Sequence, residues 1–343
     1  MDPHANTVND SHPDEVVAQT PSTNPGSTST TAQQQALLNS PGKGSRLLKR
    51  SARFGYFLSS PAFAVILLVT VGPVIIAALM SFTHVNLVPG GMTFSWAGLA
   101  NYKNALSSSL VRGALAFTFE FAIVSVVLGL VLGTLIAIVL DDMSHGRMFV
   151  LTCLLIPYSI IGVISGQLWS YILNGVYGIA DYILISVHII STPITFLNSP
   201  QAAFGSIMLA DSWKSMPFVT LIVLAGLRMV DRDLYAAAQV DGAGWYARVT
   251  KITLPLLKPA LLTAAVFRLL QCFGVFDIIY ILTMGGPGTS TQSIAMLMYN
   301  TLFESYNLSL GSAISTISTL IVLVIAIAVL RVFRLQVKTI GTS

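Results

Sequence analysis

Residues 235–260 read YAAAQVDGAGWYARVTKITLPLLKPA, a polar and small-residue island between two long apolar runs. Asp231, just upstream, can cap a short helix through Val240, because its side-chain oxygen accepts an orphan N–H and its charge suits the positive helix end. Gly242 and Gly244 then break that helix. A second short helix is expected from Trp245 to about Ile252, ending before Pro255, since the residue preceding a proline is pushed out of helical geometry. The stretch therefore predicts helix, turn, helix. Each piece, about ten residues long, falls below the roughly 12 to 15 residues at which isolated helices become marginal in water, so the pair needs a surface to pack on. Leu234 and Ala238 share one face at i, i+4, and Ala236, Ala237 and Ala238 leave the backbone open to close approach. A plain interhelical connection, its glycines serving only as turns, accounts for the same spacing.

Outside this island the chain reads as membrane. Apolar residues make up 54% of it and charged residues 9%, against roughly 25% charged in soluble domains. About 20 apolar residues suffice to cross a bilayer as helix, and six such runs are expected, over residues 57–82, 113–140, 148–173, 203–227, 259–282 and 310–333. Between the first two lies a polar loop, 84–112, and Gly285-Gly286-Pro287-Gly288 makes a turn just beyond the fifth. Residues 1–50, rich in Ser, Thr, Asn, Gln and Pro, cannot bury enough apolar surface to offset ordering and are expected to be a disordered tail. The domain reading is a 1–50 tail, a six-span body over 51–335 with its island loop at 228–258, and a short 336–343 tail. The first apolar run is too long for the roughly 7 to 15 residues of a signal-peptide core, so it reads as an uncleaved span.

The basic residues give topology rather than a nucleic-acid surface. With the N-terminus inside, 14 of the 18 Lys and Arg fall on cytosolic segments, Lys214 and Arg268 fall within spans, and only Lys103 and Arg112 fall outside. The positive-inside rule then puts both termini and the 235–260 loop in the cytosol.

Charge within a span costs about 2.5 to 3.5 kcal/mol at the helix centre on insertion scales and usually faces a bundle interior. Here it is patterned. Asp211, Lys214, Ser215 and Phe218 share one helix face in the fourth span, and Arg268, Gln271, Cys272 and Val275 share one in the fifth. Both stripes lie near mid-depth and are candidates to line one polar path, with Glu120 and Gln167 contributing from the second and third spans. The alternative is mutual neutralisation, Asp211 with Lys214 and Arg268 with Glu120. Asp277, near the outer end of the fifth span, reads as interfacial, and Trp213 as either packing or a stacking platform. A pocket with few polar groups and aromatic faces suits a sugar.

Several chemistries are absent from the sequence. Gly42-Lys43-Gly44-Ser45 lacks the upstream glycine of a phosphate-binding loop, and neither an H-E-x-x-H pair nor a G-x-S-x-G elbow occurs. Cys153 and Cys272 both lie in apolar runs, without disulfide or metal-ligand spacing. No enzyme, cofactor-binding or metal site is expected.

Ala236-Ala237-Ala238, Asp241-Gly242-Ala243 and Ile252-Thr253-Leu254-Pro255 resemble the EAA loop of binding-protein-dependent ABC importer permeases, with Ala236 where that family usually has Glu. The segments DSWKSMPFVTLIVLAGLRMVDRDLYAAAQVDGA, from Asp211, and FDIIYILTMGGPGTSTQS, from Phe276, resemble the sugar-uptake branch, in particular the larger maltose permease subunit and the glycerol-phosphate type. The resemblance implies an all-α membrane protein of the type I ABC importer permease fold, with six transmembrane helices and a cytoplasmic coupling-helix loop, in a bacterial plasma membrane. It implies ATPase coupling through Tyr235, Ala237, Ala238, Asp241, Gly242, Ala243 and Trp245. The implied partners are a second homologous permease, two ATPase subunits that hold the ATP, and an extracytoplasmic sugar-binding protein. The implied substrate is a disaccharide such as trehalose or maltose. A permease for glycerol phosphate, a proton-coupled secondary transporter using Asp211 or Glu120, and a non-transporting scaffold are the alternatives.

Overall fold

The computed structural model describes residues 60–340; the predicted tail over 1–50 and residues 341–343 lie outside them. The chain divides into two compact units, Met1–Val69 and Thr70–Ser343. Of the first, only residues 60–69 are described, as helix.

The elements in order are α1 (Ser60–Ser81), β1 (Thr83–Val88), β2 (Gly91–Trp96), α2 (Ala100–Ser107), α3 (Ser109–Asp142), α4 (Arg147–Ser159), α5 (Gly162–Ile172), α6 (Ile179–Ser186), α7 (Pro200–Leu227), α8 (Arg232–Val240), α9 (Trp245–Phe273), α10 (Asp277–Leu282), α11 (Ile294–Tyr299) and α12 (Leu308–Ile340). Among the described residues, α1, α3, α7, α9 and α12 are each long and apolar enough to cross a membrane, and α4 with α5 forms a sixth, broken span bent by 96°. All six expected runs are therefore found, four as helices with shifted ends and two interrupted.

α3 and α7 share the broadest helix contact, and α9 packs on both. Small residues allow it. A Cβ on Gly133 would stand 2.8 Å from Val219, and one on Gly226 would stand 2.6 Å from Ala260. Apolar helices in lipid associate through this kind of backbone approach, because no hydrophobic force distinguishes a neighbouring helix from a lipid tail. One buried cluster joins Phe117 and Phe121 to Ile207, Phe273 and Ile279. A second, nearer the island loop, joins Leu140 to Val219, Val223 and Leu257. A third gathers Ala105, Val111, Ile294 and Ile314.

Four expectations need correction. The second short helix does not end before Pro255, because Trp245–Phe273 is one helix with a π turn at Val249–Thr253. Leu254 N–H bonds the Val249 carbonyl across that turn, and Pro255 then falls in the first turn of the regular helix, where its missing N–H costs little. The fifth span does not reach residue 282; it stops at Phe273, and α10 begins afresh beyond Gly274. The third span is broken at 160–161, next to Pro157. The polar loop 84–112 is not irregular. It holds an antiparallel hairpin pairing Thr83 with Trp96 and Val88 with Gly91, followed by α2. The turn residue Gly90 has φ +96°, where only glycine sits without strain.

Candidate functional site

The two interruptions face one another. The α4–α5 break and the α9–α10 break open a cavity of about 240 Å³ against the middle of α7, with Asp211, Lys214, Ser215, Arg268 and Gln271 on its wall. The break residues complete it: Tyr158 and Gly162 from one side, and Gly274, Val275, Phe276 and Asp277 from the other.

At its base lies an ion pair. Asp211 on α7 and Arg268 on α9 are bonded directly, with side chains only 7% and 5% exposed. Ser125 on α3 completes the set, donating its hydroxyl to Asp211 Oδ2 at 2.8 Å and accepting from Arg268 Nε at 3.1 Å and Nη2 at 2.6 Å. Arg268 Nη1 reaches Gln271 Oε1 at 3.4 Å. A buried charge pair survives desolvation only when its remaining donors and acceptors are also satisfied, and here one serine hydroxyl serves both ions. Three helices are thereby joined between the first and second apolar clusters.

Lys214, one turn along α7 from Asp211, points the other way. Its ammonium donates to the Ile160 carbonyl, at the break between α4 and α5. A broken helix at membrane depth leaves backbone groups that lipid cannot satisfy, and Lys214 supplies a partner for one of them. Asp277 sits against the backbone of Gly162, so closely that a Cβ there would collide with its carboxylate. Ser215 Oγ is buried with no hydrogen-bond partner among the described residues. Tyr158 stacks on Phe218 at 5.8 Å, and Phe218 meets Phe267 edge-on at 6.1 Å.

The alternative pairings of Asp211 with Lys214 and of Arg268 with Glu120 are therefore both wrong: Asp211 pairs with Arg268. Of the candidate path residues, Asp211, Lys214, Ser215, Arg268 and Gln271 come together. Phe218 supports Tyr158 from behind. Cys272 is buried in the first apolar cluster, off the cavity wall, with its thiol beside the Ser125–Asp211–Arg268 set. Glu120 and Gln167 are exposed and off the cavity. Asp277 is a wall residue, which its reading as interfacial missed. Trp213 packs edge-on against Trp169 at 5.9 Å, away from the cavity. Pro157 and Gly274 were the available signals for the breaks that build the site.

The island loop forms a separate feature. Asp231 Oδ1 accepts from Asp233 N–H at 3.0 Å, capping α8 as expected. Its far end closes with Ala243 N–H on the Ala238 carbonyl and Gly242 N–H on the Gln239 carbonyl, with Gly242 at φ +76°. That is the two-bond, left-handed helix stop that glycine favours, and it accounts for the Asp241-Gly242-Ala243 triplet. Tyr235 OH contacts Thr253 Oγ1 at 3.1 Å, and Arg232 reaches Asp141 at 2.9 Å, tying α8 to α9 and to the end of α3. The rest projects. Ala237, Asp241, Gly242 and Trp245 are exposed, Ala238 and Ala243 half-buried, and Val240 is 88% exposed.

Residues 125–341 match the model of the family described as binding-protein-dependent transport system inner membrane component. The chain belongs to that family. This permease is 38% identical over 275 residues to the trehalose/maltose transport system permease protein of Thermococcus litoralis, covering 79% of its own length and 90% of the relative's. It is 38% identical over 272 residues to the trehalose transport system permease protein of Mycobacterium tuberculosis, covering 79% and 85%. It is also 31% identical over 224 residues to the sn-glycerol-3-phosphate transport system permease protein of Agrobacterium fabrum, covering 65% and 75%. In fold, the permease resembles a chain of a bacterial ABC transporter involved in alginate import, with TM-score 0.73 and 24% identity over 84% of this chain and 98% of that one. It is a multi-pass membrane protein with the ABC importer permease fold.

Proposed function

We propose that this permease carries a neutral saccharide of the trehalose or maltose kind across a bacterial plasma membrane, driven by ATP bound and hydrolysed on partner subunits. The observation that supports it best is the charge balance of the cavity. Arg268 is neutralised by Asp211, so the wall presents the Lys214 ammonium with the Asp277 carboxylate also on it, together with Ser215 and Gln271. A phosphate ester would need unpaired cations; a sugar needs donors and acceptors without net charge, and aromatic rings such as Tyr158 for its C–H faces. Two of the relatives act in trehalose or maltose systems.

α7 leads into α8 and α9 leads out of it, so the cavity wall is built on both arms of the projecting loop. The Asp211–Arg268 pair fastens those arms to each other. When an ATPase subunit cupping Ala237, Ala238, Asp241, Gly242, Ala243 and Trp245 moves, the arms move as one body and the cavity changes the side on which it opens. In this reading both termini and α8 are cytosolic. An extracytoplasmic binding protein delivers the sugar, and a second permease subunit supplies the other half of the path.

Substrate selection tests this directly. With radiolabelled trehalose in proteoliposomes holding the whole complex and internal ATP, excess unlabelled maltose or trehalose is expected to suppress uptake and glycerol phosphate to leave it unchanged. Suppression by glycerol phosphate alone would contradict the neutral-ligand reading.

A further inference from the structure

Away from the central cavity, a larger cleft of about 470 Å³ lies where the β1–β2 hairpin, α2 and the start of α12 meet. Its lining is unusual for its amides. Asn86 comes from β1, Asn101 and Asn104 from α2, and Asn307 from the turn before α12, and no carboxylate, ammonium or guanidinium lines it. Part of this polarity is structural. Asn101 Nδ2 donates to the Ser81 and Thr83 carbonyls at 2.9 Å, and Asn307 Oδ1 accepts from Leu310 N–H at 3.0 Å. The remainder is free: among the described residues, the side chains of His84, Asn86 and Asn104 make no hydrogen bond, and Asn101 Oδ1 and Asn307 Nδ2 are left over.

One further observation sets the cleft apart from an ordinary wet loop. Tyr306, on the cleft wall, holds φ +51° and is 67% exposed. A bulky residue in left-handed geometry is strained, and such strain clusters at functional sites.

We infer that this cleft is a second, outer saccharide site, in which unpaired Asn amides bond a neutral sugar's hydroxyls and Tyr306 covers a ring face. Amides both donate and accept, matching hydroxyl groups without selecting for charge, and the volume lies within the range of small-molecule sites. The inference rests on the saccharide reading and on the orientation proposed above, which puts the hairpin on the extracytoplasmic side. Its role there is to hold sugar at low affinity at the mouth of the permease.

Saturation-transfer NMR from the purified transporter complex in nanodiscs to trehalose, without binding protein or ATP, tests it. Transfer is expected in the wild type and in the central-cavity variant Lys214→Met, and is expected to fall at least fivefold in Asn86→Leu/Asn104→Leu. Tyr306→Gly, which suits the left-handed backbone, is expected to lose a comparable share with no drop in Tm, which separates ligand loss from misfolding. Full transfer in the Asn double variant, with loss in Lys214→Met, overturns the inference. So does a complex that imports trehalose but shows no transfer at all, and so does an Asn variant that keeps transfer and loses only stimulation by the binding protein, which would make the cleft a protein-docking surface. A complex that neither imports nor contacts any saccharide defeats the importer reading itself, and the outer site with it.

Discussion

The Asp211–Ser125–Arg268 set and helix α8 are opposite solutions to the same problem of placing polar groups in an apolar protein. At the first, two opposite charges are turned inward and paired through one serine hydroxyl, and three helices are tied together with almost no exposed surface. At the second, a nine-residue helix carries its own caps at both ends and presents most of its length outward. The closed set holds this chain together from within. The open helix is complete as a local structure and incomplete as a packed one, which is what a surface awaiting another protein requires.

Substitutions should separate these two roles. Removing one ion leaves the other buried and unpaired, so Asp211→Ala is expected to lose about 3 to 5 kcal/mol of stability, read as a large drop in Tm of the detergent-solubilised complex. Asp211→Leu/Arg268→Met removes both charges and is expected to recover most of that Tm while transport stays low; a double variant as unstable as the single one would break the comparison. Gly242→Val forces a β-branched residue into left-handed geometry, costing about 1 to 2 kcal/mol locally. It is expected to depress sugar-stimulated ATP hydrolysis at least tenfold with little change in global Tm. Tyr235→Phe deletes the contact with Thr253, worth about 1 kcal/mol, and should reduce stimulation severalfold. The smallest effect is expected at the loop's rim. Arg232→Ala breaks an ion pair whose arginine is 63% exposed, so stability should fall by well under about 1 kcal/mol and uptake should change less than twofold.

The two regions also differ in how far the sequence reveals them. The α8 loop is local, and its caps follow from Asp231 and Gly242, each acting on backbone within a few residues. The spans were legible for the same reason, since about 20 consecutive apolar side chains decide the matter without tertiary contacts. The cavity was half legible. Periodicity put Asp211, Lys214 and Ser215 on one face and Arg268 with Gln271 on another, but partner choice depends on helix rotation, and Arg268 turned to α7 and Ser125 rather than to Glu120. Ser125, a small residue in an apolar run, gave no sign of its role. The breaks at 160 and 274 were hidden because an interrupted span and an intact one have the same composition, and only Pro157 and Gly274 marked them. The hairpin was missed where polar composition was read as irregular, although Val85, Leu87, Met92 and Phe94 alternate about the Pro89-Gly90-Gly91 turn.

The claim on which the account turns is that energy enters through α8. It is tested most directly by trehalose uptake and ATP hydrolysis in the same proteoliposomes, with Gly242→Pro beside the wild type and a protonophore present throughout. The expected result is ATP-dependent uptake in the wild type, and loss of both activities in the variant with the complex still inserted and assembled. Undiminished uptake by the variant, or wild-type uptake that collapses with the proton gradient and ignores ATP, would contradict it.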